Sequence, residues 1–518
     1  MTFNPLQPLR DLLKARTGCS LFTQLGLPRL VSFKDDSQLY SGFTRAVPVL
    51  APQIFLEGLG KMLPQGSADA LAVLQSPNLL VKGTPLAAVA EGGIPLPVGK
   101  ALLEDALRAE RTLTGRLKAQ GIPLSGSWFI LNEPEFVQHE TGSGKLPVPL
   151  ASWLALLEAE RGGFINSFRQ PKVGPITSGL PKSGSRWQWF NAMRDQLLEG
   201  GKRVEALMTA PRTLVDFALY VAQQAGRFVP LAELMPNLQV LILTHHDFSL
   251  QRTEMGYLLQ GLPQVRWVQA QFSPLGLMLS QADINIRQRL ELDLAGQAFP
   301  EFIPLTDIDP MGRLARSARR FHAGQIEPGQ DYLLVVSSHS GLLGVNSGQV
   351  VRVLGLPGPG INGGAVLPVA ARGPVVQLNG LNEGLREDAL LEAVGNINAA
   401  LAGQGLFVRE ALLGHVVAER LPFWVLEISR PLGEVDATTL HSIAKRLHAE
   451  LDLRSTSYRN AYRGAALRPP KVHIVPMGTF AAAASNAPTH SQFDHSPDAA
   501  QCRKILGVAW EQQVFEAI

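Results

Sequence analysis

The chain has 518 residues, of which 46% are hydrophobic and 18% charged, with a formal net charge of +3 and two cysteines. That is more than one compact core holds, so a large domain with a smaller one is expected, and the basic residues, densest at Arg313, Arg316, Arg319 and Arg320, form no aromatic-interleaved stripe of the kind that binds nucleic acid. Cys19 and Cys502, near opposite ends, argue against a disulfide framework or a cysteine metal site, and with no signal-like N-terminus and no apolar run of about 18 residues a cytoplasmic chain without a membrane span is expected.

In chain order, helical and short apolar strand patterns alternate, which points to α/β layers. Leu102, Leu103, Leu107, Leu113 and Leu117 among charged residues predict an amphipathic helix over 100–119. A second helical stretch is read over 203–225, interrupted at Ala210-Pro211. The run 238–244, following Pro236-Asn237, reads as a buried strand. Further strands are expected at 332–337 and 350–354, and the Pro/Gly cluster at 355–364 reads as a loop. Around Arg372-Gly373-Pro374 the pattern changes to a smaller α+β unit, with helices over 385–401 and 438–451 and strands at 422–428 and 471–475. The tail 481–497 reads as loop. The expected division is a large domain over 1–372 and a small one over 373–518.

Several segments then carry a resemblance. They are Leu234-Met235-Pro236-Asn237-Leu238, Pro300-Glu301-Phe302-Ile303-Pro304 and Glu327-Pro328-Gly329-Gln330-Asp331-Tyr332. After these come the turn from Gly341 to Val351, the residues Tyr458, Tyr462 and Arg463, and the run from Val472 to Phe480 with its closing Gly478-Thr479-Phe480. In order and spacing, over roughly residues 20 to 505, they resemble the auxin-responsive (Gretchen Hagen) acyl-acid amido synthetases of the adenylate-forming superfamily. The resemblance implies a large N-terminal α/β domain, a mobile C-terminal α+β lid and an active site between them. It also implies two half-reactions: a small carboxylic acid attacks the α-phosphate of ATP, and an amine then displaces AMP from the acyl-adenylate.

The positions that the resemblance assigns to ATP are altered here. Its glycine-rich phosphate loop falls in register on 21–29, where Gly26, Pro28 and Arg29 remain but the hydroxyl-bearing residues are replaced, so the start of an ordinary strand is expected. The magnesium-binding carboxylate falls on Leu275, which cannot ligate a hard cation, although the following Gly276 is kept. The ribose-binding aspartate falls on Gln349 and the arginine before it on Asn346. The lysine that stabilises the adenylation transition state falls on Asp494, a reversal of charge, with Lys504 ten residues on. His245 and His246 stand at the end of the expected 238–244 strand and, with Phe272 and Ser273, are candidates for an acyl-ligand pocket. Adjacent histidines seldom point at one ion, so no metal is expected. Asn132-Glu133-Pro134-Glu135 reads as a solvated cap, and Ser337-Ser338-His339-Ser340 lacks the Gly-x-Ser-x-Gly elbow of a nucleophile.

Two functions follow. One is a non-catalytic amido-synthetase-like protein, a partner or regulatory subunit or an acyl-ligand binder, with no cofactor. Its partner would be an active relative or a second copy. The other is an ATP-dependent acid–amine ligase with a rebuilt Mg-ATP site. The low charged fraction fits either a large core or a surface covered by a partner.

Overall fold

The structure is a computed structural model. It describes residues 3–17, 20–50, 86–89, 94–97, 100–122, 127–131, 136–141, 144–149, 186–244, 248–273, 276–281, 289–308, 314–315, 317–339, 342–360, 364–372, 375–376, 385–416, 420–430, 434–475, 477–480 and 514–516. The chain divides into two compact units. The first comprises Met1–His246, Leu258–Asp307 and Ser317–Ala371, and the second Asp247–Tyr257, Ile308–Arg316 and Arg372–Ile518.

The first unit opens with three helices, α1 (Gln7–Ala15), α2 (Ser20–Gln24) and α3 (Asp36–Ala46). Asp35 caps α3 by accepting from Ser37 N at 2.8 Å. Leu9, Leu12, Phe22, Leu27, Leu30 and Phe43 close these helices over Phe299 and Leu343 in one apolar cluster. The 21–29 segment is therefore helical, a correction to the strand expected there. Phe22 and Leu27 are buried, and Gly26 begins a 3-10 turn over Leu27–Ser32.

Two antiparallel hairpins follow, β1 (Leu86–Val89) with β2 (Ile94–Pro97) and β4 (Phe136–Thr141) with β5 (Gly144–Pro149), separated by helix α4 (Lys100–Ala119) and strand β3 (Ser127–Leu131). Next come α5 (Arg186–Gly200), β6 (Val204–Thr209), α6 (Pro211–Ala225), α7 (Leu231–Leu234), β7 (Val240–Leu243), α8 (Arg252–Leu258), which belongs to the second unit up to Tyr257, and β8 (Arg266–Phe272). The strands β9 (Met278–Gln281), β10 (Leu290–Asp293), β11 (Phe299–Pro304), β12 (Asp331–Ser337), β13 (Val345–Val353), β14 (Gly358–Pro359) and β15 (Ala365–Arg372) complete the large sheet. Its order is β11-β12-β13-β15-β10-β9-β8-β7-β6-β3, with β14 paired to β15. The run β3, β6, β7, β8 is parallel throughout, whereas the described pairings on the β11 side are antiparallel.

Residues 204–209 correct a second expectation. Val-Glu-Ala-Leu-Met-Thr is a strand, not the first half of a helix, because it lies between β3 and β7 with five of six residues buried. The helix begins only at Pro211, whose missing N–H costs nothing at a helix start, and ends at Gly226 in the left-handed region. Helix α4 packs Ala106, Ala109, Leu113 and Leu117 against β3, β6, β7, β8 and β9, while Leu107 is only partly buried. Glu301, in the middle of the fully buried β11, is 0% exposed. It accepts from Tyr40 Oη at 3.0 Å and from Arg320 at 3.0 and 2.5 Å. That pairing lets a carboxylate sit in the core.

The second unit contains β16 (Val375–Val376), β17 (Leu385–Arg386), α9 (Glu387–Leu401), β18 (Val408–Val416), β19 (Leu421–Ile428), α10 (Ala437–Arg454), α11 (Thr456–Arg463), β20 (Lys471–Val475) and β21 (Val514–Glu516). Its sheet runs β18-β19-β20-β21, with β19 and β20 parallel. The continuous apolar run of β19 is buried along its whole length, as a central strand covered on both faces requires. Leu390, Val394, Ile397, Leu440, Ile443, Leu447 and Trp424 build the core of this unit, and Leu250, from far upstream, is part of it.

Candidate functional site

Because β3, β6, β7 and β8 are parallel, their carboxyl ends line one edge of the large sheet, where α/β sheets bind ligands. Thr244 N donates to Thr209 O at 3.0 Å and closes the ends of β6 and β7 together. His245 and His246, which follow, lie outside the described residues. At the end of β8, Phe272 is buried among Trp128, Ile130, Met208 and Ile242. Ser273 turns the chain into β9: its N donates to Leu277 O at 2.7 Å, and its carbonyl accepts from Gly276 N at 2.8 Å. Leu275 lies outside the described residues. Gly276 has φ +92°, and a Cβ there would sit 3.7 Å from Asp105 Oδ2.

Asp105, beside this turn, is a buried carboxylate that the sequence reading missed. It lies on α4 and is 3% exposed. Its Oδ1 accepts from Arg108 Nη2 at 3.1 Å and from Gln297 N at 3.2 Å. Arg108 also donates to Asp293 Oδ2 at 2.8 Å, joining the two carboxylates through one guanidinium. Burial is the largest influence on Asp105 and lifts its pKa to about 6, against the lowering pull of Arg108. The same stripe of α4 places Arg116 in the interior, paired with Glu291 and donating to Ser280 Oγ at 2.7 Å. The signal in the sequence was the spacing Asp105, Thr112, Arg116, polar residues at helical period beside the apolar stripe.

The positions tied by resemblance to the nucleotide lie on β13. Asn346 Oδ1 accepts from Gly348 N at 2.9 Å. Ser347 Oγ donates to Leu334 O at 2.8 Å and accepts from Gln349 N at 3.2 Å. The turn thus satisfies itself with its own side chains. Gln349 Nε2 is buried without a partner among the described residues. An amide in place of a carboxylate gives up the charge-assisted bonds that would bind a ribose diol, and Asn346 has no charge for phosphate. Gly26 (φ +67°) and Arg29 lie on the N-terminal helical cap, where the Arg29 side chain curls back over Gly26 and is exposed. Among the described residues no strand leads into them: they follow helix α2 (Ser20–Gln24). Another glycine pair, Gly92-Gly93, falls in the sequence between the paired strands β1 and β2, just before α4; its own placement is outside the described residues. Asp494 and Lys504 are also outside them. The described residues at the positions that the resemblance assigns to the nucleotide do not offer the charged groups that hold Mg-ATP.

At the end of β12, Ser337 Oγ accepts from Gly344 N at 2.9 Å, and Ser338 Oγ is buried without a partner among the described residues. Burial, then Arg16, depresses the His339 pKa to about 4, so it is neutral at ordinary pH. Among the described residues no group of three or more His, Cys, Asp or Glu could hold a metal ion, and no helix is long and apolar enough to cross a membrane. A polar groove of about 440 Å³, lined in part by Gln120, Glu205, Asn237, Gln239 and Arg266, lies at the opposite, amino-terminal edge of the parallel strands.

No protein-family profile matches the sequence, and no curated protein matches it. Solved structures do match in fold. An acyl acid amido synthetase, AtGH3.15, in complex with 2,4-DB aligns over 100% of this chain and 98% of its own, with TM-score 0.65 and 12% identity. A GH3.15 acyl acid amido synthetase structure aligns over 98% and 93%, with TM-score 0.68 and 15% identity. A 2-hydroxyisobutyryl-CoA ligase in the postadenylation state aligns over 97% and 92%, with TM-score 0.55 and 14% identity. The chain has the α/β fold of the acyl acid amido synthetases and related adenylate-forming ligases along its whole length.

Proposed function

We propose that this chain is a non-catalytic protein on an adenylate-forming fold, which binds a partner protein or a small acyl ligand instead of activating an acid with ATP. The observation that carries this reading is the β13 turn. Asn346 and Ser347 spend their polar groups on their own backbone, and Gln349 places a neutral amide where a carboxylate would hold ribose. Leu275 and Asp494 add, from the sequence, the loss of a metal ligand and a reversed charge. The low charged fraction fits a chain that hides part of its surface, and the simplest partner is an intact relative or a second copy paired about a two-fold axis. Such an interface would bury at least about 1,000 Å².

The test is calorimetry of the full chain with Mg-ATP, with and without a panel of small carboxylic acids. The expected dissociation constant is no tighter than about 1 mM, or roughly −4 kcal/mol. Binding in the low micromolar range with release of pyrophosphate when an acid is present overturns the reading. The second reading is a ligase with a rebuilt site. It is favoured by the match to nearly the full length of amido synthetases and by Gly92-Gly93 between paired strands, a setting in which backbone N–H groups can meet an anion.

A further inference from the structure

We infer that Asp247–Tyr257 is a strap: it leaves the carboxyl end of β7, forms an integral part of the core of the second unit, and then returns to the first. Five observations within the second unit carry this. Leu250 is 2% exposed and belongs to the same apolar cluster as Leu390, Val394, Trp424 and Leu440. Asn398, wholly buried on α9, donates to Leu250 O at 2.9 Å and to Val408 O at 2.8 Å and accepts from Val408 N at 2.7 Å, so one amide ties the strap to α9 and β18. Gly395 faces Ser249, and a Cβ there would run into the Ser249 carbonyl oxygen, so the helix has no side chain where the strap passes. Glu254 and Arg409 form an ion pair at 2.6 Å with both side chains 10% exposed. Tyr257 sets its ring edge-on against Phe407, with centroids 6.0 Å apart, and its hydroxyl donates to Ala402 O at 3.4 Å.

The segment is continuous with the first unit at both ends: Thr244 N donates to Thr209 O at the end of β7 four residues before Phe248, and Tyr257 is bonded directly to Leu258 of the first unit. This inference does not depend on whether the chain is catalytic.

Hydrogen exchange followed by mass spectrometry on the full chain tests it. In the parent chain, peptides covering 248–257 should be protected to the level of those from α9 and β18. The substitution Leu250→Ala should speed exchange at least tenfold in all three segments together and leave β6 and β8 unchanged. Exchange in 248–257 much faster than in α9 in the parent chain overturns the inference, as does a Leu250→Ala effect confined to 248–257. If the variant loses protection throughout, the comparison within the parent chain decides alone.

Discussion

Asn398→Ala is the sharpest test of how the second unit is held. Its side chain is 0% exposed and makes three hydrogen bonds, at 2.7, 2.8 and 2.9 Å. Truncation leaves the Val408 N–H and two carbonyls without those partners in a site shielded from water. A typical hydrogen bond contributes about 1 kcal/mol net, and each buried orphan costs about 1–3 kcal/mol. Some relaxation or water entry offsets part of this, so a total of about 3–4 kcal/mol is expected. In urea, with a slope near 2 kcal/mol per molar for a unit of this size, the unfolding midpoint of the second unit should fall by roughly 1.5–2 M. Pulse proteolysis across a urea series reports that midpoint, with fragments assigned to each unit by mass. Asn398→Asp should be at least as damaging, because it replaces the donating amide with a carboxylate oxygen facing two carbonyls. A midpoint shift under about 0.5 M for Asn398→Ala would refute the account of this amide as the tie between strap, helix and strand.

Asp105 should make stability depend on pH. Its pKa is raised from 3.8 to about 6 in the folded chain, so the protonated form is the favoured one there. The stability it contributes is complete below about pH 4 and is lost as pH rises through 6, by about 3 kcal/mol in all. Urea midpoints of the parent and Asp105→Asn between pH 4.5 and 7.5 check this: the variant should lose that slope, and equal slopes would remove Asp105 as its source. Arg320→Met should destabilise the first unit by about 3–5 kcal/mol, because it strands the Glu301 carboxylate in the core with only the Tyr40 hydroxyl. Adding Glu301→Gln should recover part of that loss, since the neutral amide still accepts from Tyr40. Thermal denaturation of the single and double variants measures both, and a double variant no more stable than the single one counts against a stranded charge.

Much of the architecture is set by local sequence alone. Helix α4, with its apolar residues at helical spacing, and the β19 run Leu-Pro-Phe-Trp-Val-Leu-Glu-Ile each state their own periodicity, and so do α9 and α10. The order of the short motifs pointed to the adenylate-forming fold, which the structural matches bear out along the chain.

Tertiary structure decided the rest. Residues 204–209 have a composition that suits helix or strand, and only the places left open between β3 and β7 make them a strand. Residues 21–29 read as the start of a strand, yet they are helical because Phe22 and Leu27 are drawn into the cluster with α1 and α3. Arg108 and Arg116 look like ordinary surface charges of an amphipathic helix until the face that carries them packs against β10, where each finds a counter-charge 175 or more residues away. The strap is the clearest case. Nothing in 247–257 states that Leu250 belongs with a helix that begins at Glu387, because the free energy that puts it there comes from an amide and a core that the chain reaches only about 140 residues later.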